Sequence, residues 1–306
     1  MRIVSISYIR LVATVMIVLC HYLQAYDNKF AYFFNVGVQV FFLISGFLYG
    51  GKKIDFSFDW FKRRVLKIAK PYWVVVLAVA ICYFLFDRSY FSGSELLHAL
   101  FFSGTINGIE HLWFIPYILV CYFITPYLQI LKNVSFWSIL LVIVFYNIVS
   151  ILTPFHFHAS DVTCYIIGFL MAGCEREDNK NLLKRICYIS IPVALMMNIY
   201  ILYVKMMLAD FPNDELHNCL WSYGHSAMGL ALFSVMLLAF RNMKENRLTR
   251  YSDRYSYEIY LVHHFFLLSP WAILQLSLPV IFNIILSLLV ILLVAYGLKQ
   301  IETKFL

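Results

Sequence analysis

Arg10 lies well inside the first apolar stretch of the chain, and His21 follows it by eleven residues. A charge at that depth in lipid costs about 2.5–3.5 kcal/mol on insertion scales, so something must compensate for it. Eleven helical steps of about 100° come within roughly 20° of three full turns, which puts both side chains on one face, about 16 Å apart along the axis. Ser7 and Thr14 fall on the same stripe, with Gln24 at its edge. A lipid-facing surface does not tolerate such a seam, so the first helix is expected to line a polar cavity. The chemistry on offer is proton transfer and charge stabilisation. Neutral imidazole accepts a hydroxyl proton near pH 7, and a fixed guanidinium in low dielectric holds a developing oxyanion. The bland alternative has Arg10 snorkelling to the inner interface and His21 as a satisfied buried histidine. Their alignment on one seam favours the first reading.

A second candidate is the basic loop from Lys52 to Lys70, densest at Arg63-Arg64-Val65-Leu66-Lys67. Guanidinium forks match phosphate oxygens, so this stretch suits a phosphate-rich cytoplasmic ligand such as coenzyme A. Anionic lipid headgroups are the alternative partner. Gln39 and Ser45 lie in the second apolar stretch, where Ser45 and Gly46 also suit close helix packing. His111 and Trp113 open the fourth, at a depth where an interfacial Trp is expected anyway. His263 and His264 lie in the ninth, behind Tyr257, Glu258 and Tyr260. Adjacent helical residues point about 100° apart, so this pair is not expected to share one site.

The elements that must carry these residues follow from composition. Of 306 residues, 62% are hydrophobic and 13% charged, against roughly 45–50% and about 25% in a soluble domain. With 28 Phe and 22 Tyr, too little polar surface remains to cover a body in water. Apolar stretches fall at about 4 to 24, 35 to 51, 71 to 87, 112 to 131, 135 to 152, 160 to 174, 186 to 205, 224 to 241, 255 to 276 and 279 to 298. At about 20 residues per crossing, the expected architecture is an all-α integral membrane protein, one domain over residues 1–306 with about ten transmembrane helices. Leu96 to Phe102 is too short to cross and reads as an interfacial or re-entrant helix.

Positive loops stay cytoplasmic. With both termini inside, the outer loops hold only Lys29, Arg88 and Lys205, and Arg10 is within the first span, so the other 20 of the 24 Lys and Arg lie inside. The net charge of +7 is thus accounted for by topology rather than by a nucleic-acid partner. The seven cysteines form no metal-like spacing or framework and read as small core residues. Arg2 precedes an apolar run too long for a signal peptide, which is read as the first span. His156-x-x-x-x-Asp161 and His156-x-His158 read as chance spacings in a short outer loop. No phosphate-binding loop, dinucleotide fingerprint or nucleophile elbow occurs, and no metal site is expected.

Six motifs in order carry a family resemblance: Arg10-x10-His21, Phe41-Phe42-Leu43-Ile44-Ser45-Gly46-Phe47-Leu48, Arg63-Arg64-Val65-Leu66-Lys67 before Pro71-Tyr72-Trp73, His111-Leu112-Trp113-Phe114-Ile115-Pro116, Ser256-Tyr257-Glu258-Ile259-Tyr260-Leu261-Val262-His263, and the terminal Glu302. Together they resemble the acyltransferase 3 family of integral membrane acyltransferases. The resemblance implies a ten-helix enzyme of the bacterial cytoplasmic membrane. It would move an acyl group, commonly acetyl, from acyl-CoA as co-substrate to a hydroxyl of an envelope carbohydrate or lipid-linked saccharide. It also implies that Arg10 and His21 are catalytic, that Arg63, Arg64 and Lys67 bind acyl-CoA, and that Ser45, His111, Trp113, Tyr260 and His263 are candidates for the substrate pocket. No permanently bound cofactor is implied, and the form resembled is the stand-alone one without a fused SGNH domain. Two departures stand out: Lys67 replaces the second Arg of the basic element, keeping charge but losing the fork, and Lys304 stands where many members have proline. General-base and acyl-imidazole roles for His21 both remain open. The competing function is a transporter or flippase for a polysaccharide intermediate, since intramembrane Arg and His also occur in transport paths.

Overall fold

The computed structural model describes residues 3–54, 57–152, 156–174, 176–207 and 215–305, and the side chains of His156 and His158 lie outside the described residues. Within these limits the chain is helical without strands: α1 (Val4–Ala25), α2 (Ala31–Asn35), α3 (Gly37–Gly50), α4 (Phe58–Phe86), α5 (Gly93–Leu100), α6 (Phe114–Val134), α7 (Phe136–Ile151), α8 (His156–Leu170), α9 (Lys180–Met207), α10 (Glu215–Ala239), α11 (Arg247–Leu268) and α12 (Val280–Phe305). Among the described residues, seven stretches are long and apolar enough to cross a membrane: α1, α2 with α3, α4, Glu110–Val134, and stretches within α9, α10 and α12. Trp137–Ser150 and Ala159–Leu170 are apolar but shorter. Leu141, Phe145, Met196 and Leu293 are largely exposed, a pattern that lipid rather than water accommodates.

Three elements differ from their expected limits, and each difference matters for the site. The basic stretch expected as a loop is largely helical, because Ser57 caps α4 by accepting from the Trp60 N–H at 3.2 Å. Arg64 and Lys67, three residues apart, therefore share a face, whereas Arg63 is turned about 100° away and is exposed. The expected ninth span began at Tyr255, but a capping box between Asn246 and Thr249 starts α11 two turns earlier, and Ser269 before Pro270 ends it. Those extra turns carry Asp253. Helix α12 runs on past Leu298, which keeps Lys299 and Glu302 on helical backbone. The short apolar segment before α6 is α5, whose last carbonyls at Ala99 and Leu100 accept from Tyr72 Oη at 2.7 Å and Trp73 Nε1 at 3.0 Å.

Helix α1 sits at the centre, packed on α3, α10 and α11, while α11 also meets α12 and α4. The α3–α8 crossing is closest, because Gly46 lies against the Tyr165 backbone and Gly168 against that of Leu43. A Cβ at either position would overlap a carbonyl oxygen, so only glycine permits the approach. Gly46→Ala and Gly168→Ala are each expected to destabilise the detergent-solubilised protein by about 1–3 kcal/mol in thermal melts. Gly297→Ala, where an added Cβ meets nothing within 4 Å, is expected to leave the melt unchanged or raise it.

Candidate functional site

The seam on α1 faces α11, and the compensation that Arg10 requires is Asp253. Arg10 Nη1 donates to Asp253 Oδ1 at 2.5 Å, and Ser7 Oγ donates to Asp253 Oδ2 at 2.6 Å. The side chains are 22% and 19% exposed, so the pair is largely withdrawn from solvent. Thr14 Oγ1 donates to the Arg10 carbonyl at 2.8 Å, which uses another seam residue to hold the helix rather than the charge.

Arg10 opens into a cavity of about 350 Å³. Six cations line it, Arg10, Lys52, Arg64, Lys67, Arg254 and Lys299, against three carboxylates, Asp253, Glu258 and Glu302. The excess of cations makes it an anion-attracting chamber. Lys299 is largely neutralised, because its Nζ donates to Glu258 Oε1 at 2.9 Å and Glu302 Oε2 at 2.6 Å. Arg64 and Lys52 lie over the Tyr49 ring, 5.6 and 5.7 Å from its centroid, a contact that orients the cations without consuming their donors. Ser45 lines the same cavity, and Arg63 and Trp113 do not. Trp113 instead packs edge-on to Tyr117, with centroids 6.1 Å apart.

Ile17, Phe114 and Tyr260 also line the cavity, whereas His21, expected on the same seam, does not. His21 belongs instead to a cluster of four imidazoles. His21 is 4.6 Å from His264, 5.0 Å from His263 and 6.1 Å from His111, centroid to centroid. His111 stacks on His264 at 4.7 Å with planes 9° apart. The expectation that His263 and His264 could not share a site is overturned: a partner ring facing the gap between two side chains 100° apart touches both. The pair are 6.4 Å from each other and straddle His21 and His111. Among the described residues, no group of three or more His, Cys, Asp or Glu is arranged to hold a metal ion.

One nitrogen of each ring is committed to an oxygen, which fixes the tautomer. His21 Nδ1 donates to Gln24 Oε1 at 2.6 Å, His111 Nε2 to the Tyr260 carbonyl at 2.7 Å, His263 Nδ1 to the same carbonyl at 2.8 Å, and His264 Nδ1 to the Gly108 carbonyl at 2.9 Å. The second nitrogens are left as acceptors. His111 Nδ1 and His263 Nε2 are buried without a hydrogen-bond partner, so each keeps an unused acceptor in the cluster. Tyr260 links the cavity to the cluster: it lines the cavity, its hydroxyl donates to the His111 carbonyl at 2.5 Å, and its own carbonyl accepts from two histidines.

Sequence reasoning missed Asp253 and the role of His264, yet a signal was present. They too are eleven residues apart, and Arg10 meets Asp253 as His21 meets His264, so α1 and α11 run side by side in the same sense with one register. It also missed Lys299 as the partner of Glu258. Asp161, dismissed by sequence spacing, is buried and accepts from Gln39 Nε2 at 2.9 Å.

A family model described as an acyltransferase domain matches residues 3–299, a range that takes in the seam, the cationic face of α4 and the histidine cluster. No curated protein and no solved structure matches the chain. With a match over nearly its whole length, the chain belongs to the acyltransferase 3 family, and it is a membrane acyltransferase.

Proposed function

We propose that the protein takes an acyl group, acetyl in the simplest case, from cytoplasmic acyl-CoA and places it on a hydroxyl of an envelope carbohydrate or lipid-linked saccharide, working in the bacterial cytoplasmic membrane. The observation that carries this reading is the pairing of a cation-rich cavity with an imidazole cluster across the Tyr260 layer. Phosphates of the donor would meet Arg64 and Lys67 at the cationic end, where positive loops argue for the cytoplasmic side. The acyl arm would then run inward past Arg10 and Ser45 toward Tyr260.

Transfer needs a base. His21, with Nδ1 held by Gln24, offers Nε2 to the acceptor hydroxyl. The hydroxyl oxygen adds to the thioester carbon while its proton passes to Nε2, the C–S bond breaks, and the thiolate leaves toward the cavity. Asp253 engages one end of the Arg10 fork, and the remaining donors can hold the arm of the donor on its way inward, three helical turns short of His21. The same geometry serves an acyl-imidazole step at Nε2, in which imidazole rather than the hydroxyl attacks first.

His21→Ala is expected to lower acyl transfer by about 100-fold or more while the protein still binds CoA; full activity in that variant contradicts the mechanism. Arg64→Ala and Lys67→Ala are expected to raise KM for acyl-CoA about tenfold with little change in kcat, with Arg63→Ala as the internal control that stays near wild type. Arg10→Ala leaves Asp253 with Ser7 but without its ion pair, so it should cost about 1–3 kcal/mol of stability as well as activity. Arg10→Ala with Asp253→Ala should regain the fold without the activity, as read by thermal melts alongside turnover.

A further inference from the structure

The proton that His21 receives must leave before the next turnover, and His21 is not among the residues that line the cationic cavity. His264, its side chain 10% exposed, lies 4.6 Å from His21 by ring centroids and 3.8 Å from Glu110, measured from Nδ1 to Oε2. Glu110 is 54% exposed, and the distribution of Lys and Arg puts the segment that carries it on the outer side. The turn at Gly108 holds both groups: its carbonyl accepts from His264 Nδ1, and its N–H donates to Glu110 Oε1 at 2.9 Å. Gly108 has φ +81°, and a Cβ there would strike Ser269 and the Tyr83 hydroxyl, so the turn is shaped around these contacts.

We propose that His264 and Glu110 form the outlet through which the acceptor proton leaves His21. The inference rests on His21 acting as the base. In each turnover the acceptor O–H bond breaks and its proton goes to His21 Nε2, then to the free Nε2 of His264. His264 releases its Nδ1 proton toward Glu110, across a gap that one water or a small rotation of the exposed carboxylate bridges. Glu110 hands the proton to water on its own face, and the departing CoA thiolate takes one from water at the cavity mouth, so protons balance. The titratable groups facing His264 are His21 from α1, His111 and Glu110 from the turn before α6, and His263 from its own helix, with the Tyr83 hydroxyl of α4 behind Gly108. None but Glu110 both touches His264 and is broadly exposed.

The test uses the full chain in its native membranes, which supply the acceptor, and follows thiol release from acetyl-CoA. His264→Asn keeps a donor for the Gly108 carbonyl but cannot carry a proton, and Glu110→Gln keeps the shape of its side chain. Both are expected to lower kcat about tenfold with KM for acetyl-CoA unchanged, and to raise the solvent deuterium isotope effect on kcat. Added imidazole is expected to restore part of the rate to His264→Ala. Wild-type kcat and isotope effect in both variants would overturn the proposal. So would a loss of rate with raised KM, an unchanged isotope effect and no rescue, which marks a structural role. A His21→Ala variant that stays active defeats the underlying reading instead, so the two failures are distinguishable.

Discussion

A guanidinium set into an apolar helix cannot stay there alone, and the Arg10–Asp253 pair is the constraint from which the arrangement follows. Removing one partner from a largely withdrawn charge pair costs about 1–3 kcal/mol, more than most single contacts contribute. The pair therefore locks α1 against α11 at one register. Because both helices run the same way with the same eleven-residue interval, that lock also delivers His21 to His264, three turns further along. A slip of one residue would carry both pairs apart together.

The register sets two regions of different character side by side. One is a cationic cavity lined by Lys52, Arg64 and Lys67 among others; the other is a close cluster of rings with single nitrogens tied to oxygens. Tyr260 belongs to both, lining the cavity and held to His111 through its hydroxyl and its carbonyl. The charged network of Glu258, Lys299 and Glu302 tempers the cationic chamber and joins α11 to α12 behind it.

Much of this was legible in the chain before any coordinates. The seam of Ser7, Arg10, Thr14 and His21 depends only on helical periodicity, and the apolar stretches each coincide with a helix because hydrophobic runs of that length have few other outcomes in lipid. Other features were hidden for definable reasons. Asp253 lies among Arg250 and Arg254 and reads as loop, because a capping box outweighs the local charge in setting where α11 begins. Arg63 and Arg64 are equivalent in composition and separate only once the phase of α4 is known. The histidine cluster unites α1, α11 and the turn before α6, and no single-helix pattern encodes which face of one element meets which face of another.

The central claim is that donor and base meet across the Tyr260 layer along the α1–α11 seam. The most direct measurement is an experimental structure of the protein with a non-hydrolysable thioether analogue of acetyl-CoA. The account predicts phosphates on Arg64 and Lys67, with the arm running past Arg10 and the acyl end beside Tyr260, pointing at His21. An analogue whose acyl end turned out toward lipid, or whose phosphates sat away from that cationic face, would contradict it.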